Sequence, residues 1–266
     1  MKIYVCVKQV PDTSGKVAVK ENGVLDRASM KTIINPDDLN AVEAALQIKD
    51  QEGCEVIAVT MGPPAAASML RELYAMGIDK AVLISGREFG GSDTFATSQV
   101  IAGGIHHLGL EKDDIIFCGR QAIDGDTAQV GPQIAEKLNI PQVTYAGEVK
   151  YENGKVFVKR MTEDGYMKVE AETPVLITCI KELNEPRYMT VRGILECFDR
   201  PITVLDYPTL ENEPLIDKTT IGLAGSPTTI FQSFTPPVAK GGEMLEGTTQ
   251  EKTDALAAKL AKAQLI

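Results

Sequence analysis

The sequence is poor in the residues that most often carry catalysis and metal binding. Its 266 residues include two histidines, five cysteines and no tryptophan. The histidines, His106 and His107, are adjacent near the end of a predicted helix. Neighbouring helical side chains point about 100° apart, so we expect a solvated helix end rather than one shared ligand site. The cysteines contain no C-x-x-C pair, which argues against zinc and iron–sulfur centres.

Long hydrophobic runs and basic clusters are also missing. No apolar run reaches the roughly 18 residues of a membrane span, and the apolar stretch before Lys8 is too short for a signal peptide. The net charge is −10, without a basic run longer than a few residues. These features argue against a nucleic-acid partner or membrane insertion, and we expect a cytoplasmic protein.

Strands and helices alternate through the first 150 residues. Apolar runs at 2–8, 54–62, 79–85 and 113–119 predict strands, and the stretches between them predict helices. The helix from residue 36 has a complete start signal, with Asn35 as the expected cap, Pro36 at the first helical position and two acids in the first turn. This alternation predicts a doubly wound, mostly parallel α/β sheet.

The pattern changes in the second half of the chain. Residues 149–180 predict antiparallel strands, with a hairpin turn at "ENGK". From residue 201 the chain is rich in proline and irregular, which is typical of an extended arm that packs on another surface. A short helix follows at 253–266, with Thr253 available as its cap. We therefore divide the chain into an α/β domain, 1–200, and a C-terminal arm, 201–266.

The loop at 119–132 carries the strongest local argument for function. Ligands of doubly wound sheets bind beyond the carboxyl ends of the strands, where this loop lies. Pro132 places the helix start near Gly131, which leaves residues 125–130 with free amide N–H groups at a helix N-terminus. Thr127 and Gln129 add side-chain donors. Such an array binds an anion, and a diphosphate is the natural candidate.

The acids of the same loop oppose that interpretation. Asp124 and Asp126 would repel a phosphate, so we expect them to cap amide groups or to bind ribose hydroxyls. Arg120 is the expected compensating cation. Neither the G-x-G-x-x-G fingerprint nor the P-loop motif is present, so the common dinucleotide and NTPase templates are not met.

Five motifs resemble the β subunit of an electron transfer flavoprotein: "VCVKQVPDT", "NPDDLNAVEAAL", "VIAVTMGPP", "CGRQAIDGDTAQVGPQIAE" and "LNEPRYMTVRGI". The resemblance runs in order over residues 1 to 200. It implies a Rossmann-like sheet, an α-subunit partner that carries FAD and receives the arm, and a nucleotide site on this chain. With Arg120 added, that site comprises Cys6, Asn35, Pro36, Asp37, Asp38, Met61, Arg120, Gln121, Ala122, Ile123, Asp124, Gly125, Asp126, Thr127, Ala128, Gln129, Val130, Gly131 and Pro132.

The segment "REFGGSDTFATS" and the arm motif "GLAGSPT" are similar to the electron-bifurcating branch of that family. In this branch FAD replaces the AMP of the respiratory forms, and NADH docks beside it. The resemblance places NADH at Phe89, Gly90, Gly91, Ser92, Asp93 and Thr94. The glycines would allow close approach of a flat ligand, and Ser92 or Asp93 could cap the next helix. An ordinary glycine turn before a capped helix is the alternative.

The resemblance implies that electrons pass from NADH to ferredoxin or flavodoxin and, through the α-subunit FAD, to an acyl-CoA dehydrogenase. Val191, Arg192, Gly193 and Ile194 are the expected docking residues for that dehydrogenase. No catalytic side chain is needed, because the cofactor carries the chemistry. Two alternatives stay open: a non-bifurcating β subunit with structural AMP, and a non-redox adenine-nucleotide sensor or adenylating enzyme.

Overall fold

The protein is seen as a computed structural model that describes residues 1–12, 31–229, 231 and 241–266. Within the predicted arm, 201–266, residues 230 and 232–240 lie outside the described residues. The strands are β1 Lys2–Cys6, β2 Gln9–Pro11, β3 Thr32–Ile34, β4 Glu55–Met61, β5 Lys80–Ile84, β6 Ile115–Gly119, β7 Gln142–Glu152, β8 Lys155–Thr162, β9 Gly165–Glu172, β10 Val175–Cys179 and β11 Ile202–Leu205. The α-helices are α1 Pro36–Glu52, α2 Ala67–Met76, α3 Thr94–His107, α4 Val130–Leu138, α5 Val191–Glu196, α6 Tyr207–Leu210 and α7 Thr249–Lys262.

One large sheet organises the described chain. Its order is β11-β5-β4-β1-β6-β10-β7-β8-β9, while β2 and β3 form a separate antiparallel pair. Strands from β11 to β7 in this order run parallel, and β8 and β9 add an antiparallel extension at one edge. The predicted mostly parallel α/β fold with an antiparallel hairpin addition is confirmed.

Helices cover both faces of the parallel strands. Along β1, Ile3 and Val5 belong to the core under α1 and α2. Tyr4 and Cys6 belong to the opposite core, under α3 and α4. This alternation follows from the two-residue period of a strand, and it gives three layers with the carboxyl ends of the strands open along one edge.

The start of α1 agrees with its sequence signals in all but one respect. Pro36 occupies the first turn and Gly53 ends the helix with a φ of 69°. Asn35 stands at the cap position, yet its side chain makes no capping hydrogen bond. The prediction of an Asn35 side-chain cap is wrong, because that side chain binds the loop after β6 instead, as described below.

The second half differs from the sequence prediction in the place of β10. The hairpin turn between β7 and β8 is confirmed, with positive φ at Asn153 (52°) and Gly154 (80°). Strand β10 is not part of the antiparallel set; it lies between β6 and β7 and runs parallel to both. Every residue of β10 is buried, as in a strand covered on both faces.

The first part of the predicted arm folds onto the α/β unit. Strand β11 extends the sheet beyond β5, and Leu210, Ile216 and Ile221 are buried in the core beneath α3. A Cβ on Gly103 would lie 2.5 Å from Ile216 Cδ1, so the glycine permits this contact. The irregular arm predicted from residue 201 is therefore corrected for residues 202–221, which belong to the compact unit.

The last helix begins earlier than predicted. Thr248, not Thr253, caps α7, and it forms a capping box with Glu251. No residue of α7 is buried by the described chain. Packing of this helix on a partner subunit stays a prediction.

The two histidines are exposed at the end of α3, as expected, but they share one carboxylate. Nδ1 of His106 and Nδ1 of His107 each lie 2.7 Å from a different oxygen of Glu213. The two oxygens of one carboxylate can face two rings that diverge along a helix. The pair therefore attaches the segment after α6 to the end of α3.

No described helix is both long enough and apolar enough to cross a bilayer. The described residues also contain no cluster of side chains suited to a metal ion.

Candidate nucleotide-binding site

The strand order reverses at β1. The chain goes from β1 to the adjacent β4 and on to β5, then returns to β6 on the other side of β1. The loops that follow β1 and β6 therefore diverge at their carboxyl ends and leave a crevice between them, the usual ligand position of such sheets. The predicted loop, 119–132, begins there.

Asp38 holds the two strand ends together. Its Oδ2 accepts a hydrogen bond from the Lys8 amide at 2.8 Å, and its Oδ1 accepts one from the Gly119 amide at 3.0 Å. Burial raises the pKa of Asp38 to about 7, although these hydrogen bonds favour the ionised form. Both oxygens are occupied, so the geometry gives Asp38 a positioning role beneath the crevice.

Asn35 braces the start of the loop from the other side. Its Nδ2 donates to the Gln121 carbonyl at 2.8 Å, and its Oδ1 accepts from the Ile123 amide at 3.1 Å. The side chain is fully buried. Asn35 thus acts as a clamp between the start of α1 and the loop after β6.

The loop acids find partners that the sequence did not indicate. Lys8 Nζ donates to Asp124 Oδ1 at 2.7 Å, and Gln121 Nε2 donates to Asp126 Oδ1 at 2.8 Å. The expectation that these acids cap amide groups is therefore corrected, since both bind side chains in the structure, while the alternative of ribose binding stays a prediction. Lys8 was missed because it lies 116 residues from Asp124.

The second half of the loop presents unpaired backbone. Helix α4 starts at Val130, within one residue of the predicted start. Asp126 and Ala128 adopt positive φ angles of 51° and 52°, which cost non-glycine residues of order 1 kcal/mol each. Within the described part of the chain, the amide N–H groups of 127–131 have no hydrogen-bond acceptor. Strained backbone and free donors at a helix N-terminus are typical of an anion site.

Two glycines of the loop have different roles. A Cβ on Gly131 would lie 2.6 Å from Cys118 Sγ and 2.9 Å from Thr178 Cγ2, so this glycine lets α4 approach the sheet. A Cβ on Gly125 would meet nothing within 4 Å. Packing therefore explains Gly131, while the space beside Gly125 is open to a ligand.

Arg120 and Asp37 form an incomplete pair at the same edge. Arg120 Nε lies 3.4 Å from Asp37 Oδ2, and neither atom has a hydrogen bond within the described residues although both are buried. Burial raises the pKa of Asp37, while the charge of Arg120 opposes this shift. Unsatisfied polar atoms at the same sheet edge as the free amides fit a polar ligand carrying phosphate, so the residues present are compatible with a bound nucleotide.

The other predicted contacts lie along this edge. Cys6 and Met61 end β1 and β4, and Pro36 is exposed at the start of α1. Burial raises the pKa of Cys6 to about 12, so the thiol stays neutral and is not a nucleophile. All five cysteines are buried and free. Contact of these residues with a nucleotide stays a prediction.

A second loop, between β5 and α3, contains the predicted NADH residues. Asp93 caps α3, since its Oδ1 accepts from the Ala96 amide at 3.0 Å. Ser92 instead donates its hydroxyl to the Phe89 carbonyl at 2.8 Å. Phe89 is buried, whereas Gly90 and Gly91 are exposed. The side of Gly91 where a Cβ would stand faces Leu223 of the C-terminal segment.

The two loops meet. Thr94 Oγ1 lies 3.2 Å from Gln129 Oε1, and one turn further along the helices Ser98 Oγ lies 3.1 Å from Gln133 Oε1. The N-termini of α3 and α4 are therefore neighbours on one edge. Ligands bound at the two loops would lie side by side.

The predicted docking residues form part of a larger apolar surface. Val191 and Ile194 are exposed on α5, and Arg192 pairs with Glu196. Gly193 faces inward, because a Cβ there would lie 2.8 Å from Ala75 Cα of α2. Sequence reasoning missed further members of this surface that share high exposure, namely Tyr188, Leu195 and Phe198.

The fold and the loops together define the class of this protein. It is a doubly wound α/β protein with unpaired backbone amides near the point where the strand order reverses. Residues 22–209 match the profile of the electron transfer flavoprotein domain. The chain is 64% identical to the acryloyl-CoA reductase electron transfer subunit gamma of Anaerotignum propionicum and 50% identical to the caffeyl-CoA reductase-Etf complex subunit CarD of Acetobacterium woodii, with all of each chain covered. It is 48% identical to the electron transfer flavoprotein subunit beta of Clostridium acetobutylicum, over 98% of both chains.

The chain belongs to the electron transfer flavoprotein family and is of its β-subunit type. This identification removes the hypothesis of a non-redox nucleotide sensor or adenylating enzyme. It also agrees with the resemblance drawn from the five sequence motifs.

Proposed function

We propose that this chain, paired with an α subunit, binds FAD and NADH and divides the electrons of NADH between two acceptors. One acceptor is ferredoxin or flavodoxin. The other is an acyl-CoA dehydrogenase, reached through the α-subunit FAD. The names of two relatives, as electron transfer subunits of acryloyl-CoA and caffeyl-CoA reductases, support a partner that acts on a CoA ester.

The observation that carries this proposal is the contact between the two loops. The free amides of 127–131 would hold the pyrophosphate of the flavin nucleotide, and Thr94 beside Gln129 brings the glycine loop next to it. An AMP site alone would need only the first loop. The exposed pair Gly90–Gly91 at the second loop supports a further ligand beside the first.

The side chains of this subunit would bind and orient rather than react. A bound FAD would supply the redox chemistry, accepting a hydride from NADH and releasing electrons singly. Asp38 holds the loop backbone at Gly119 and Asn35 holds it at Gln121, and the N-terminal end of α4 adds a favourable potential for phosphate. The neutral thiol of Cys6 offers no competing nucleophile.

Flavin counting in the purified αβ complex tests the proposal. We expect two FAD per heterodimer and bleaching of the visible flavin spectrum by NADH. One FAD with one AMP, and no oxidation of NADH, would establish the alternative of a non-bifurcating β subunit.

Charge reversal tests the docking surface independently. Arg192 is exposed on α5, so Arg192→Glu should slow reduction of the partner dehydrogenase without changing flavin content. Lys112→Glu, at an exposed site in the loop after α3, is the matched control. Equal rates for both variants would count against docking at α5.

A further inference from the structure

Part of the C-terminal segment, residues 221–228, lies directly along the glycine loop. The Leu223 amide donates to the Gly90 carbonyl at 3.0 Å. Gly222 has a φ of 63° and approaches the Glu88 carbonyl oxygen so closely that a Cβ would overlap it. The loop is thus held by backbone contacts from a segment more than 130 residues away in sequence.

Asp93 is the centre of this contact. Its Oδ1 caps α3, while its Oδ2 accepts from both the amide and the hydroxyl of Thr228, at 3.0 and 2.7 Å. Its own amide donates to Ser226 Oγ at 2.8 Å. Ser226 in turn donates to the Gly222 carbonyl at 2.7 Å. Burial favours a raised pKa for Asp93, yet these hydrogen bonds outweigh it and lower the pKa.

All polar groups of the Asp93 side chain are therefore used inside the protein. The amides of Gly91, Ser92 and Thr94, by contrast, have no acceptor among the residues that the structure describes. A nucleotide at this loop would meet backbone donors, and Asp93 would fix their direction from behind.

We propose that Ser226 and Thr228 are positioning residues of the dinucleotide site. Their hydrogen bonds hold Asp93 in place and so orient the backbone donors of the loop 90–94. This inference rests on the proposed function, which assigns NADH to that loop. It adds that the affinity for NADH depends on the C-terminal segment, which need not touch the nucleotide itself.

Steady-state kinetics of Thr228→Val in the full αβ complex tests the role of the contact between Thr228 and Asp93. The variant keeps the shape of the side chain but loses the hydroxyl that donates to Asp93. We expect KM for NADH to rise about tenfold, with a smaller change in kcat and an unchanged flavin-to-protein ratio. Thr228→Ser keeps the hydroxyl and should restore KM to near the wild-type value.

Thr219→Val is the matched control. The amide and hydroxyl of Thr219 both donate to Asp217 Oδ1 at 2.8 Å, the same pattern as Thr228 with Asp93, but away from the glycine loop. This variant should leave KM for NADH unchanged. An equal rise in KM for both variants would overturn the proposal, because it would reflect general loosening of the segment.

Hydrogen exchange provides a readout that does not depend on activity. Amides of 86–97 should exchange faster in Ser226→Ala/Thr228→Val than in the wild-type complex. Unchanged exchange, or faster exchange with an unchanged KM, would overturn the positioning role. A wild-type complex that does not oxidise NADH would instead refute the proposed function, so the two failures are distinguishable.

Discussion

Three glycines of the loop region, Gly119, Gly125 and Gly131, recur every six residues, yet the structure constrains each differently. A methyl group on Gly119 would lie 2.7 Å from the carbonyl carbon and 2.8 Å from Cβ of Asp37, where about 3.5–4.0 Å is normal. It would also lie too close to Asp38 Oδ1, the atom that accepts a hydrogen bond from the Gly119 amide. Overpacking costs about 1–3 kcal/mol and a weakened hydrogen bond about 1 kcal/mol.

Gly119→Ala should therefore cost about 3 kcal/mol, which lowers Tm by about 6–12 °C for a chain of this size. Gly131→Ala overpacks Cys118 and Thr178, but alanine regains up to about 1 kcal/mol of helix propensity. We expect a net cost of about 1–2 kcal/mol. Helix α4 must then move outward, because its glycine is pressed against the sheet.

Gly125→Ala should behave in the opposite way. Open space surrounds the position, and its φ lies outside the left-handed region, so the nucleotide-free protein should be unchanged or more stable by about 0.4–1 kcal/mol. A methyl group there would obstruct the proposed phosphate site and reduce the flavin-to-protein ratio. The assay is thermal unfolding of the co-expressed complex, before and after nucleotide removal, with flavin counted by absorbance.

Two results would refute this reasoning. A wild-type Tm for Gly119→Ala would show that α1 does not approach the end of β6 as closely as the structure has it. A full flavin complement in Gly125→Ala, with unchanged nucleotide affinity, would show that phosphate does not bind beside this glycine.

Three further predictions concern charge and docking. Burial raises the pKa of Asp38 from 3.8 to about 7, so the stability that this group contributes is lost as the pH rises. Between about pH 5 and pH 8, the free energy of unfolding of the wild type should fall by about 3 kcal/mol relative to that of Asp38→Asn, as measured by denaturant titration. A difference that does not change with pH would contradict the raised pKa. Burial would raise the pKa of Glu213, but its hydrogen bonds with the two histidines outweigh this effect and lower the pKa. Glu213→Gln should therefore lower the free energy of unfolding by about 1 kcal/mol at neutral pH and leave it unchanged in acid below the folded pKa, again measured by denaturant titration. Leu195→Asp, at an exposed site, should slow dehydrogenase reduction about tenfold or more while NADH oxidation with an artificial acceptor is unaffected.

Sequence predicted the local elements well because their signals are local. Pro36 and Gly53 fix the ends of α1, and Asn153–Gly154 fixes the hairpin turn, each through backbone conformation alone. The placement of β10 was not predicted, because pairing direction depends on which strands become neighbours. The run "VLITC" is almost continuously apolar, a pattern typical of strands buried on both faces, and this signal could have favoured a central parallel strand.

The missed contacts are all distant in sequence. Glu213 meets His106 across 107 residues, and Thr228 meets Asp93 across 135. Spacing within a motif carries no information about such partners. Sequence therefore indicated the loops of the candidate site, while the fold supplied the distant groups that hold these loops.

The aspartates of the candidate site show the same difference between what the sequence indicates and what the fold supplies. From sequence, Asp124 and Asp126 are an objection to phosphate binding, and Asp37 and Asp38 belong to the same predicted site. In the structure Asp124 is neutralised by Lys8, Asp37 lies beside Arg120, and the pKa of Asp38 is raised close to neutrality.

Asp126, the fourth acid, accepts from Gln121, which pulls its carboxylate toward the start of the loop. Most of the negative charge is thus compensated or protonatable, and each carboxylate binds loop or strand groups. The field left at the end of the loop is that of the free amides 127–131 and the α4 N-terminus, which favours an anion. The acids that oppose phosphate binding in the sequence therefore hold the backbone in the conformation that would receive the proposed nucleotide.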